Sequence, residues 1–346
     1  MAQDGGLTPE EQHFKDSIEA LNLDFETLSR AKEAYNEGIA FFGEEKYMEA
    51  IASFDKSVEL SPRFLNAFYN RGMANLQLKK YEAAIKDFTT VVDSNDTKAT
   101  AYLKRGEAYT ALRKLDEAVA DYKKVIKLQP KNENAMYGLG DVLFMKEDYQ
   151  GAIDQFTLAT AIDGQFAYAY NDRGSAYRRL ERYTDAIIDY QKAASISPKL
   201  AFIYNNLGST KKRTGDLVGA MAAYNKAISV DGDFYMAYNN RGGIYLAQKK
   251  YEDALADFNA AIKLSASYAP AFNNKGVVLH RQEKYKEAIA EFDKAIKINS
   301  KYGGAYVNRG ITKEMIRDVD GGCADWKKAE ELGEKLGKKF YINNCD

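Results

Sequence analysis

The chain has 346 residues, with 49 basic against 50 acidic side chains, a formal net charge of −1 and 45% hydrophobic residues. This balance argues against a nucleic-acid surface along the whole chain, and no apolar run approaches the roughly 18 residues of a membrane-spanning helix, so no membrane insertion is expected. The two cysteines, Cys323 and Cys345, and the two histidines, His13 and His280, lie in three distant regions, which argues against a metal site.

Residues 1–30 read as a separate N-terminal segment. The stretch TPEEQHFKDSIEAL (8–21) has Thr8 as N-cap, Pro9 in the first turn and acidic residues following, a strong helix start. Phe14, Ile18 and Leu21 share one face, so the expectation is a capping helix, with His13 an exposed bystander. The start MAQDGG has no apolar signal core, yet it is what a processed small-residue cleavage site with a restored Met would leave. Together with the cysteine pair this favours a periplasmic or other extracytoplasmic location, the alternative being cytoplasmic.

From Ala31 a fixed period takes over. Gly38, Gly72, Gly106, Gly140, Gly174, Gly208, Gly242, Gly276 and Gly310 follow one another at intervals of 34. A second register runs beside it: Ala50/Phe54, Ala84/Phe88, Ala118/Tyr122, Ala152/Phe156, Ala186/Tyr190, Ala220/Tyr224, Ala254/Phe258, Ala288/Phe292 and Gly322/Trp326. Nine uninterrupted units thus occupy residues 31–336, starting at 31, 65, 99, 133, 167, 201, 235, 269 and 303, with a closing tail over 337–346. Each unit predicts two helices; in the seventh they span about Met236–Gln248 and Tyr251–Leu264, broken by a polar turn. Unit positions 4, 8 and 11 fall in one sector and face the unit's own second helix, where Gly at 8 and Ala at 20 permit close approach. No phosphate loop, nucleophile elbow or paired Cys and His appears, so neither an enzyme nor a cofactor is expected.

With an aromatic, Gly, Tyr, Ala, Phe/Tyr and Pro at fixed offsets in 34 residues, the unit resembles the tetratricopeptide repeat, over residues 31–336. Asn75 and Gly322 depart from the pattern, and several units lack the closing Pro. The resemblance, which extends to bacterial scaffold proteins of this type, implies an all-α solenoid. Antiparallel helix pairs would be stacked in a right-handed superhelix, with the first helices lining a concave groove and capping helices at both ends. CADWKKAEELGEKLGKKFYINNC (323–345) resembles a terminal unit common in such bacterial proteins, and on that basis Cys323 and Cys345 are expected to form a disulfide, the alternative being two free thiols.

Positions 2, 5, 6, 9, 12 and 13 then belong to the groove. Position 5 reads Tyr35, Tyr69, Leu103, Tyr137, Asn171, Asn205, Asn239, Asn273 and Val307, so the lining changes at the fifth unit; position 6 includes Asn206, Asn240 and Asn274. Asn is a poor residue for a helix interior, but its amide can pair with an extended backbone. For position 6 a bond to the neighbouring unit is favoured; for position 5, ligand contact, as in the O-GlcNAc transferase repeats that this long run resembles. Arg178, Arg179, Lys212, Arg213, His280 and Arg281 add positive charge in the same half and suit an acidic or phosphorylated partner, or are simply solvated. The N-terminal half offers an apolar stripe that includes Tyr35, Phe42, Tyr69, Met73, Tyr137 and Phe144. The carboxylate clamp of co-chaperone repeats is not matched, since Tyr35, Ile39, Asn70, Thr100 and Lys104 stand at its places. The expected function is a scaffold receiving an extended peptide or protein segment, the alternative a self-assembling homo-oligomer, with RNA binding disfavoured by period and charge.

Overall fold

The computed structural model describes residues 9–345, and every regular element among them is an α-helix. The contacts divide the chain into two units, residues 1–164 and 165–346. In the first, α1 (Pro9–Gly43), α2 (Tyr47–Leu60), α3 (Leu65–Gln77), α4 (Tyr81–Ser94), α5 (Ala99–Ala111), α6 (Leu115–Leu128), α7 (Glu133–Met145) and α8 (Tyr149–Ile162) pack each against its successor. The second contains α9 (Ala167–Arg179), α10 (Tyr183–Ile196), α11 (Ala201–Arg213), α12 (Leu217–Val230), α13 (Tyr235–Ala247), α14 (Tyr251–Leu264), α15 (Ala269–Arg281), α16 (Tyr285–Ile298), α17 (Gly303–Met315), α18 (Val319–Glu331) and α19 (Lys335–Asn344), packed likewise.

A short turn folds each first helix back on its second. Its middle residue is left-handed, with φ near 60° at Glu45, Lys79, Arg113, Glu147, Glu181, Lys249, Glu283 and Arg317, and 86° at Gly215, the one glycine in the series. Only at Gly215 does the chemistry match the conformation without a Cβ penalty.

The helix pairs close on the aromatic at position 24, which is fully buried at Phe54, Phe88, Phe156, Tyr190, Phe258 and Phe292. It lies directly on the period glycine: a Cβ at Gly242 would stand 2.8 Å from Phe258 Cε1. The ring at position 24, rather than the alanine at position 20, sets how close the backbone comes.

A polar clasp recurs beside this core. Arg71, Arg105, Arg173, Arg241 and Arg309 each grip an aspartate sixteen residues on, and Arg105 Nε and Nη2 both donate to Asp121 at 2.8 Å. The same guanidinium reaches back to the preceding unit, Arg71 to Asp55, Arg105 to Thr89, Arg241 to Asn225 and Arg309 to Asp293. Burial pushes the Asp87 and Asp121 carboxyls up despite their arginines, so each clasp joins two desolvated charges whose separation would be costly. Asn75, the departure noted in the second unit, donates to Asp87 Oδ2 at 3.4 Å and belongs to this network.

The ends differ from the expectation in one respect. Among the described residues there is no separate N-terminal capping helix, because α1 is continuous from Pro9 to Gly43: between residues 10 and 37 no Gly or Pro interrupts it. Phe14, Ile18 and Leu21 are 67%, 42% and 67% exposed and cover no repeat. Thr8 lies outside the described residues. At the other end α19 lies on α18, with Phe340 stacked on Trp326 at 5.3 Å and Gly337 at the closest approach. Cys323 and Cys345 are joined by a disulfide, their Cα atoms 5.7 Å apart.

Candidate interaction face of the first helices

Successive first helices touch within each unit, α1 with α3, α3 with α5 and α5 with α7, then α9 with α11 and onward to α17. Positions 5 and 6 lie on the flanks where they meet. Asn171, Asn205, Asn239 and Asn273 are only 4–9% exposed. Their side-chain oxygens accept from the position-6 amide of the following unit: Asn206 to Asn171 at 3.1 Å, Asn240 to Asn205 at 2.8 Å, Asn274 to Asn239 at 2.9 Å and Asn308 to Asn273 at 2.9 Å. The two asparagine ladders are therefore one ladder of inter-repeat rungs. Position 5, expected to meet a ligand, is occupied inside the array, and position 6 is the half-exposed side of the rung.

The first unit shows what the tyrosines contribute at the same place. Asn70 Nδ2 donates to Tyr35 Oη at 2.8 Å, so a phenol there supplies the acceptor that asparagine supplies later. The remaining apolar candidates are used within their own helix pairs. Tyr35 packs on Phe54 and Phe64, Tyr69 on Phe88 and Tyr137 on Phe156, while Phe42 and Phe144 meet Tyr47 and Tyr149 edge-on across the turn. Met73 is half-buried. An open hydrophobic stripe does not result, because these rings fill the spaces beside the glycines.

The positive residues gather in the 165–346 unit. Arg178, Arg179, Tyr183, Ser209 and Arg213 line a cleft of about 400 Å3 together with Glu181. Arg213 Nε donates to the Tyr183 hydroxyl at 3.2 Å. Lys212 leans over α13, its amine 3.3 Å from where a Cβ on Gly243 would stand, and burial lowers its pKa. Burial raises the Tyr190 hydroxyl, with Arg178 nearby working the other way. Near the end of the array, His280 Nδ1 lies 3.0 Å from Thr312 Oγ1, and its ring meets Tyr285 edge-on. It borders a 170 Å3 pocket with Arg281 and Asn308. Burial, then Arg281, hold the His280 pKa below its ordinary value. Among the described residues no group of three or more His, Cys, Asp and Glu is placed to hold a metal, and no helix is long and apolar enough to cross a membrane.

The recurring helix pairs and their polar first-helix face define a class, the all-α helical-repeat solenoid, whose members generally act as non-catalytic scaffolds for protein contacts. Family models described as "TPR repeat" match residues 106–147, 174–215 and 242–283, and others described as "Tetratricopeptide repeat" match 35–102, 203–234 and 269–302. The chain belongs to the tetratricopeptide repeat family and is a protein-interaction scaffold. Among solved structures it is similar to the APC/C hetero-tetramer Cut9-Hcn1, at 18% identity and TM-score 0.58, over 77% of this chain and 52% of that one. It thus spans about half the length of that relative. A tetratricopeptide repeat protein from Parabacteroides merdae is similar at 18% identity and TM-score 0.59, over 72% of this chain and 99% of that one. Yeast Tom70 matches at 15% identity and TM-score 0.50, over 91% and 95%. At such identities the likeness bears on the fold alone. No curated protein matches the chain in sequence.

Proposed function

We propose that the chain is a non-catalytic scaffold whose 165–346 unit binds an extended, acidic segment of a partner protein along its first helices. The observation that carries this reading is a contrast among the cations. The arginines at position 7 are neutralised by aspartates, whereas Arg178 and Lys212 meet no carboxylate among the described residues; Arg213 bonds the Tyr183 phenol and feels the charge of Glu181 without an ion pair to it. Cations left unpaired beside a cleft favour an anionic ligand, and arginine suits a carboxylate or phosphate fork. Asn206 and Asn240 each use one amide N–H in the rung, which leaves a second N–H and the oxygen for the ligand's backbone. In this reading the buried asparagines Asn171, Asn205, Asn239 and Asn273 orient the position-6 amides rather than touch the partner.

The test uses fluorescence anisotropy with labelled extended peptides rich in Glu or phosphoserine, and a neutral peptide of equal length. Binding of the acidic peptides that weakens steeply with salt is expected. The pair Arg178→Ala and Arg213→Ala, with unaltered melting, should weaken it roughly a hundredfold if each charge-assisted contact contributes about 1.5 kcal/mol. Equal binding by the variant and the wild type would refute the anionic groove.

A further inference from the structure

We propose that the N-terminal part of α1 pairs, parallel and in register, with the same helix of a second copy of this chain. The observation is spacing. Phe14, Ile18, Leu21, Phe25 and Leu28 follow one another at intervals of four, three, four and three, which is the seam of a coiled coil rather than the broader stripe of a globular helix. All five are exposed, by 67%, 42%, 67%, 74% and 41%. Aromatic and branched side chains exposed in such a row stand where a partner helix would insert its own.

The helix divides its length between two tasks. From Ala31 onward, Ala31, Ala34 and Gly38 are buried in the first repeat, where the ring of Phe54 lies on Gly38. The seam ends at Leu28, one turn earlier. The rest of α1 therefore projects from the array with its apolar side open.

Three features select a second copy as the occupant. With Ile18 and Phe25 as a and Phe14, Leu21 and Leu28 as d, parallel pairing sets each of the five residues against its own counterpart. Antiparallel pairing, which sets a against d, leaves one of the five without an apolar opposite in either available register. The flanks agree with the parallel arrangement: Glu10 at g faces Lys15 at e of the second copy, and the next such pairs are Ser17 with Asn22 and Asp24 with Ser29, so no like charges meet. Asp16, Glu19 and Glu26 fall on the outer positions, where Leu23, 64% exposed, is the one large apolar residue. That acidic outer face also speaks against a membrane surface, for which the polar side of an amphipathic helix is rich in Lys and Arg. Finally, the seam exposes on the order of 600 Å2 per copy, so a pair buries about 1,200 Å2, enough for a specific though modest interface.

Sedimentation of the full chain decides the matter. A concentration-dependent dimer of twice 38.8 kDa is expected, and the double variant Ile18→Asp, Phe25→Asp should sediment as a monomer with the melting of the repeats unchanged, since neither side chain touches a repeat. Oxidation of Leu21→Cys should yield a covalent dimer whose mapped bond joins residue 21 to residue 21. A wild type that stays monomeric into the high micromolar range overturns the proposal, whether its α1 then rests on its own repeats or binds a different protein. So does a dimer that survives the double variant, or a residue 21 thiol that links only within one chain.

Discussion

Replacing Asn205 by alanine removes the oxygen that accepts from Asn240 Nδ2 at 2.8 Å and leaves that N–H facing the joint between the sixth and seventh repeats. Losing a hydrogen bond whose acceptor is 9% exposed costs about 1–2 kcal/mol. Alanine in place of asparagine in a helix returns up to about 0.7 kcal/mol, so Asn205→Ala alone should destabilise by roughly 0.5–1.5 kcal/mol. The propensity term is the same whether or not Asn240 is present, and it cancels in a double-mutant cycle with Asn240→Ala. The expected coupling is about 0.5–1.5 kcal/mol, read from amide exchange of α11 and α13, which reports local opening where a whole-array melting curve averages it. Effects of the two single changes that add within about 0.3 kcal/mol would show that the rungs carry no energy between repeats, and the account of the ladder would fall.

Two further outcomes follow from the C-terminal half. Reducing the Cys323–Cys345 bond, which spans 22 residues, should lower the stability of the last helix pair by about 3 kcal/mol; amide protection in α19 that is unchanged by reductant would contradict this. His280 has a folded pKa below its unfolded value of 6.5, so the unfolded chain binds the extra proton, and the term is present above that value and lost as pH falls through about 6.5. Between about pH 7.5 and about pH 5.5 the wild type should therefore lose more thermal stability than His280→Gln, and equal losses would show that the ring's burial has no thermodynamic weight.

The fold was legible because nine glycines and nine large rings hold one spacing, and a ring lying on a glycine can only be repeated if the helix pair is repeated with it. The site was less so. Assigning each first helix one side toward its own partner and one toward a ligand overlooks the helices before and after it, and those two neighbours are what bury Asn205 and Asn239. The arginine clasp was readable in principle: Arg71/Asp87, Arg105/Asp121, Arg173/Asp189, Arg241/Asp257 and Arg309/Asp325 keep a separation of sixteen. A charged pair at long spacing carries meaning only once two helices are known to face each other. For α1, the onset of the 34-residue period at Ala31 suggested a boundary, yet a helix needs a reason to stop, and the sequence between Pro9 and Gly38 contains none.

The joint between the third and fourth repeats stands apart. Other joints carry an amide rung, as Asn206 on Asn171, a reaching arginine, as Arg105 to Thr89, or both, as at Asn240 and Arg241, whereas this one has Leu103, Gly138 and Leu139 at those places. A Cβ at Gly138 would lie 2.6 Å from the Tyr122 ring, and Leu139 and Val142 join a core with Ala118 and Val125. Neither recurring polar pair can form there; one exposed ion pair, Lys146 with Asp116, crosses the joint, and the rest of its cohesion falls to apolar contact, which weakens on cooling. The ion pair that does cross it is exposed and therefore open to screening by salt, so cold and salt act on this seam together, whereas the half-buried clasps elsewhere are shielded from both.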